Sequence, residues 1–83
     1  MKIEEALNRA LREADRAEQR YGNFRSAHEG YGVLAEEVAE LLDAIRANDG
    51  PAIAAEAIQV SAVAGRIAAG LEDQAFRERS NIT

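Results

Sequence analysis

Two groups of acidic residues could do chemistry together in this chain. The first is the run Glu36-Glu37-Val38-Ala39-Glu40, and the second is Glu56, followed by Gln59, in a segment from Pro51 to Leu71 that is otherwise almost wholly alanine, valine and isoleucine. A carboxylate in such apolar company can be satisfied in three ways: protonation with a raised pKa, a salt bridge, or a metal ion. Arg66 lies too far along the same helix to pair with Glu56. A facing helix rich in carboxylates makes a cation held between two helices the simplest explanation. Oxygen ligands in such number suit Mg²⁺, Mn²⁺ or Ca²⁺, whereas the lack of cysteine and the single histidine weigh against zinc or copper. Magnesium is the first choice.

Those residues need helices to position them, and the spacing supplies helices. Ile3, Leu7, Ala10, Ala14, Ala17 and Tyr21 recur at intervals of four and three, which predicts a first helix ending near Tyr21, before Gly22 and Asn23. Tyr31, Leu34, Val38, Leu41 and Ile45 repeat that pattern and define a second helix from about Ala27 to Ala47, with Ser26 placed to cap it. Asn48-Asp49-Gly50-Pro51 reads as a turn. Pro51 suits the first turn of a third helix, which should run to about Gly70 or Leu71. The polar tail from Glu72 to Arg79, anchored only by Phe76, is expected to form a short fourth helix or to fray.

The short second connection makes helices two and three antiparallel neighbours. Counting outward from the Asp49-Gly50 turn at about 1.5 Å per residue brings Glu37 and Glu40 to levels close to those of Glu56 and Gln59. On helix two, Glu29, Glu36, Glu37, Glu40 and Asp43 fall in one sector, roughly opposite the Tyr31-to-Ile45 stripe. Taken alone such a sector is more often a solvated face. Helix three alters that balance, because Glu56 and Gln59 share a side with Ala52, Val60, Val63 and Ile67. Its reverse side, Ala54, Ala57, Ser61, Gly65, Ala68 and Ala69, is a strip of small residues that allows another helix, or another subunit, to approach closely.

In its order of elements the sequence resembles the MazG-like all-α nucleoside triphosphate pyrophosphohydrolases. Their pattern, Glu-Glu-x-x-Glu on one helix and Glu-x-x-Asp on the next, stands here as Glu36-Glu37-Val38-Ala39-Glu40 and Glu56-Ala57-Ile58-Gln59, with Gln59 in place of the family aspartate. The stretches His28-Glu29-Gly30-Tyr31-Gly32 and Gln59-Val60-Ser61-Ala62 are similar to small phage and bacterial members, so the resemblance covers roughly Phe24 to Gly70. It implies hydrolysis of a nucleoside triphosphate to monophosphate and pyrophosphate, with Glu37, Glu40 and Glu56 on Mg²⁺ (Mn²⁺ as substitute) and Gln59 as a weaker or water-mediated ligand. Glu36 would be an additional ligand or the group that orients and deprotonates the attacking water. It also implies a homodimer or homotetramer, with sites often completed across subunits.

Several other residues have two readings. His28 could contact phosphate or base, against the plainer reading of a partly exposed residue near a helix start. Phe24 is a base-stacking candidate or a seal for its loop, and Tyr31 is read as core. Among Arg25, Arg66, Arg77 and Arg79, Arg66 is the first choice for a phosphate partner, against a surface or intersubunit salt bridge.

Length and composition bound these readings. Eighty-three residues make one domain, 1–83, of the size that buries only roughly 60–65% of its unfolded surface. Eighteen of the residues are alanine, so large core side chains are few and oligomerisation is expected. A net charge of −5 argues against binding nucleic-acid polymers. Pro51–Leu71 is long enough to span a bilayer, but Glu56 and Arg66 would each cost about 2.5–3.5 kcal/mol there, so it reads as a buried helix of a soluble, cytoplasmic protein. The expectation is an all-α, compact antiparallel bundle of three long helices and a short fourth. Two other classes stay open: a non-catalytic helical assembly or regulatory module, and a redox di-metal carboxylate bundle, which is disfavoured because His28 has no Glu-x-x-His pair.

Overall fold

The computed structural model describes residues 1–71 and is all-helical over them: α1 Ile3–Tyr21, α2 Ala27–Arg46 and α3 Gly50–Leu71. The short fourth helix expected over Glu72–Arg79 lies outside the described residues. The three helices run up, down and up, and α3 is the central one, packed on α2 along one side and on α1 along another. α1 and α2 scarcely touch, so they form the two walls of a cleft whose floor is α3.

Local chemistry fixes the ends. The α1 helix stops at Gly22, whose φ of 76° suits a residue without Cβ and whose N–H reaches the Glu18 carbonyl at 2.8 Å. Ser26 caps α2, its Oγ accepting from Glu29 N–H at 3.1 Å, and the Glu29 carboxylate reaches back to Arg25 N–H at 2.8 Å. At the other end Asn48 takes φ 55°, its N–H donating to Ile45 O and that of Asp49 to Ala44 O, the paired bonds of a Schellman closure. Asp49 Oδ1 then accepts from Ala52 N–H at 3.1 Å, which starts α3 at Gly50, one residue before Pro51.

The core is small and made largely of small residues: Ala10, Phe24, Ala44, Ala62 and Val63 are buried, with Val33, Leu34 and Ile67 packed around Phe24 and Val63. Here the structure departs from the expected stripes. On α2 the seam against α3 is built from Gly30, Val33, Leu34, Glu37, Leu41 and Ala44, while Tyr31 (67% exposed), Val38, Leu42 and Ile45 point outward. Tyr31 is therefore not core. The acidic sector is not wholly opposite the packed face either, since Glu37 sits in the seam. On α1 the alanines Ala10, Ala14 and Ala17 do turn inward, but Ile3, Leu7 and Tyr21 are exposed.

The physical reason is distance of approach. A Cβ on Gly30 would fall 2.7 Å from Ile67 Cγ1, so α2 and α3 are closer there than any larger residue permits. Gly30 and Ala44 set that approach, with Leu34 and Leu41 of the expected stripe beside them in the seam, while Tyr31, Val38 and Ile45 of the same stripe are left outside. Gly50–Gly70 is long and apolar enough to cross a membrane by length and composition, yet only 17% of its most apolar window is buried. The expectation of a buried α3 holds only for the sides turned to its two neighbours, through Ala62, Val63, Arg66 and Gly70.

Candidate metal centre and adjoining cleft

Glu37 and Glu40 lie three residues apart on α2, hence on one side of it, and the tight Asn48-Asp49 turn brings Glu56 of α3 opposite them. One carboxylate oxygen from each of the three lies within 4.8 Å of the others. Glu37 and Glu56 are partly buried and Glu40 is exposed, so the cluster opens to solvent on the α2 side. Glu56 Oε2 is itself buried and has no hydrogen-bond partner.

Electrostatics register the crowding. Both Glu37 and Glu56 have their pKa raised above 4.5, the ordinary value, first by burial and then by the charge of Glu40. Glu37 is pushed further by the charges of Glu56 and Glu36. A divalent cation answers both observations: it would neutralise the mutual repulsion and give the orphaned Oε2 a partner. Three hard oxygen donors with no sulfur or imidazole among them fit Mg²⁺ or Mn²⁺.

The other residues singled out from the sequence divide into two sets. Glu36 is exposed beside Glu37 and outside the cluster of three, while Gln59 stands one turn beyond Glu56, lining the cleft. Phe24 and Arg66 line the same cleft, a cavity of about 500 Å³ that also takes in Glu37, Val33, Ala62 and Val63. His28 is exposed on the first turn of α2 and is not among the residues lining it.

Arg66 lines the cleft and is not the surface group of its alternative reading. It is 8% exposed, its Cζ lies 4.0 Å from the centroid of the Phe24 ring, and its Nη2 donates to the Gly22 carbonyl at 3.1 Å. Its Nε is buried without a partner.

The sequence reading overlooked α1 as a source of functional groups. Glu13 of α1 lines the cleft, and Arg9, Arg12 and Arg16 wall a neighbouring cavity. Their spacing of three and four along one helix was the signal available. Comparison with protein-family models, with curated protein sequences and with solved structures finds no match.

Proposed function

We propose that this chain is a Mg²⁺-dependent nucleoside triphosphate pyrophosphohydrolase, releasing nucleoside monophosphate and pyrophosphate. The observation that carries the reading is the convergence of Glu37, Glu40 and Glu56, with a buried and unpartnered oxygen, beside a cleft large enough for a nucleoside. The resemblance of Glu36-Glu37-Val38-Ala39-Glu40 and Glu56-Ala57-Ile58-Gln59 to the MazG-like pattern supports the same chemistry.

In this reading Glu37, Glu40 and Glu56 hold the ion, with Gln59 as a weaker or water-mediated ligand. Bound there, Mg²⁺ would neutralise phosphate charge and lower the pKa of nearby water. Glu36 orients the attacking water and accepts its proton. The water oxygen bonds to the α-phosphorus as the bridging P–O bond breaks, and pyrophosphate leaves with the electron pair. Phe24 and the apolar residues around it receive the base, and Arg66 holds the wall that Phe24 belongs to. His28 contributes from the rim if a phosphate extends past the cleft.

The enzyme is proposed to be a cytoplasmic homodimer or homotetramer. The exposed faces Ile3-Leu7-Leu11 on α1 and Tyr31-Val38-Leu42-Ile45 on α2 support an oligomer, because each lines up several large apolar side chains in water. Those exposed faces, with Gln59 where the family pattern has an acid, favour a second reading, a non-catalytic helical assembly.

The deciding experiment measures pyrophosphate release from a panel of nucleoside triphosphates with Mg²⁺ or Mn²⁺, for the natural chain and for Glu40→Gln and Glu56→Gln. Activity that both substitutions abolish upholds the hydrolase. No release from any substrate, by a folded oligomer, leaves the assembly.

A further inference from the structure

Arg9, Arg12 and Arg16 stand three and four residues apart on α1 and so share one of its faces. With Glu13, and with Ala55, Ile58 and Gln59 of α3, they line a cavity of about 350 Å³. Glu13 and Gln59 also line the larger cleft, so the two cavities adjoin, and they meet at the turn of α3 that follows Glu56. A chain with net charge −5 thus places three guanidinium groups along one edge of its candidate site.

These arginines are only loosely engaged by the protein itself. Arg9 Nη2 is 3.6 Å from Glu5 Oε2, and Arg16 Nη1 is 3.1 Å from Glu13 Oε1, both pairs in contact with solvent and therefore weak. Arg12 makes no ion pair among the described residues. The row from Arg9 to Arg16 spans seven residue steps of helix, about 10 Å of axial length. A single phosphate does not fill that span, whereas a di- or triphosphate does. Guanidinium groups match phosphate oxygens in pairs, and a carboxylate wall alone would repel a polyanion.

We infer that the cavity walled by Arg9, Arg12 and Arg16 is an oligophosphate site, which takes the β- and γ-phosphates of the substrate and then the pyrophosphate product. This rests on the triphosphate reading above and adds where the phosphate tail lies. The carboxylates of α2 and α3 and the guanidinium groups of α1 then divide the work between two walls, one for the cation and one for the anion.

The test is calorimetric titration of the full chain with inorganic tripolyphosphate, in Mg²⁺ and separately in EDTA, beside Mn²⁺ binding followed by electron paramagnetic resonance. Arg12→Ala should weaken tripolyphosphate by about tenfold, and the Arg9→Ala, Arg12→Ala, Arg16→Ala triple variant should lose it, with Mn²⁺ affinity unchanged. Glu13→Gln should tighten it several-fold by freeing Arg16, a gain that misfolding cannot mimic. Equal affinity in the triple variant overturns the inference, as does an equal loss in Arg46→Ala, which removes an exposed arginine from the far end of α2. If the natural chain binds no Mn²⁺ yet loses tripolyphosphate with the arginines in EDTA, the metal reading fails and the oligophosphate site stands.

Discussion

Arg66 of α3 and Phe24 of the α1–α2 connection are stacked, guanidinium carbon to ring centroid 4.0 Å, while the same guanidinium donates to the Gly22 carbonyl. One side chain therefore fastens the connection to the central helix at two points and closes the upper end of the cleft. Among the described residues no carboxylate pairs with it, so its charge is held by the aromatic face and a carbonyl dipole.

Substitutions at Arg66 should separate charge from packing. Arg66→Lys keeps the charge but loses the flat stacking surface, and is expected to cost about 1–2 kcal/mol. Arg66→Met keeps apolar contact with Phe24 and removes a buried charge, so its stability should stay within about 1 kcal/mol of the natural chain. Urea denaturation of the three proteins gives the order. A Met variant less stable than the Lys variant would show that the hydrogen bond to Gly22 dominates.

The raised pKa values of Glu37 and Glu56 set the direction of a pH effect. A carboxyl group that binds its proton more tightly in the folded state contributes stability below its ordinary value, and that contribution disappears as pH rises through the raised folded value. Metal-free protein should therefore lose stability, relative to Glu56→Gln, between about pH 4.5 and neutrality. Mg²⁺ should raise Tm more at neutral pH than near pH 5, where protons compete for the same oxygens. Identical pH profiles for the two proteins would mean the carboxylates do not crowd one another in solution.

Gly30 is the point of closest approach between α2 and α3. Gly30→Ala would set a methyl group against Ile67 Cγ1, and is expected to destabilise by about 1–3 kcal/mol despite the better helix propensity of alanine. Gly32, with open space at its Cβ position, supplies the control: Gly32→Ala should stabilise by up to about 1 kcal/mol. Thermal denaturation of the two variants would contradict this seam if both shifted the same way.

Gln59 lies one helical turn beyond Glu56, within the cleft. Gln59→Asp adds a fourth carboxylate next to Glu37, Glu40 and Glu56, and on the proposed metal reading should tighten Mn²⁺ binding by about tenfold. Unchanged affinity would place Gln59 outside the coordination sphere.

The helices and the acidic cluster were legible in the sequence because they depend on local quantities. Glycine and asparagine mark the ends at Gly22 and Asn48, and the short turn brings Glu37, Glu40 and Glu56 together by simple counting. The inward face of α2 was legible only in part, through Leu34 and Leu41. Periodicity weights large side chains, and Tyr31, Val38 and Ile45 outvoted Gly30 and Ala44, the residues whose smallness lets α3 approach. The partners of Arg66 were not legible for a related reason: only the three-dimensional path of the connection supplies Phe24 and Gly22. The arginines of α1 drew no attention in the sequence, because the cavity they wall is closed by residues of α3 that only tertiary packing sets beside them.

Among the described residues, the near absence of contact between α1 and α2 leaves the central helix and the short connection from Gly22 to Ser26 as the links between the two walls of the cleft. Energetic communication between the guanidinium wall and the carboxylate wall then runs through α3, through that connection at the far end of the cleft, or through whatever bridges the gap. Substitutions on opposite walls should add independently in the free protein and become coupled when the cleft is filled. A double-mutant cycle on Arg12 and Glu40, run with and without ligand, would therefore measure the ligand's span, since any coupling that appears only on binding must pass through it.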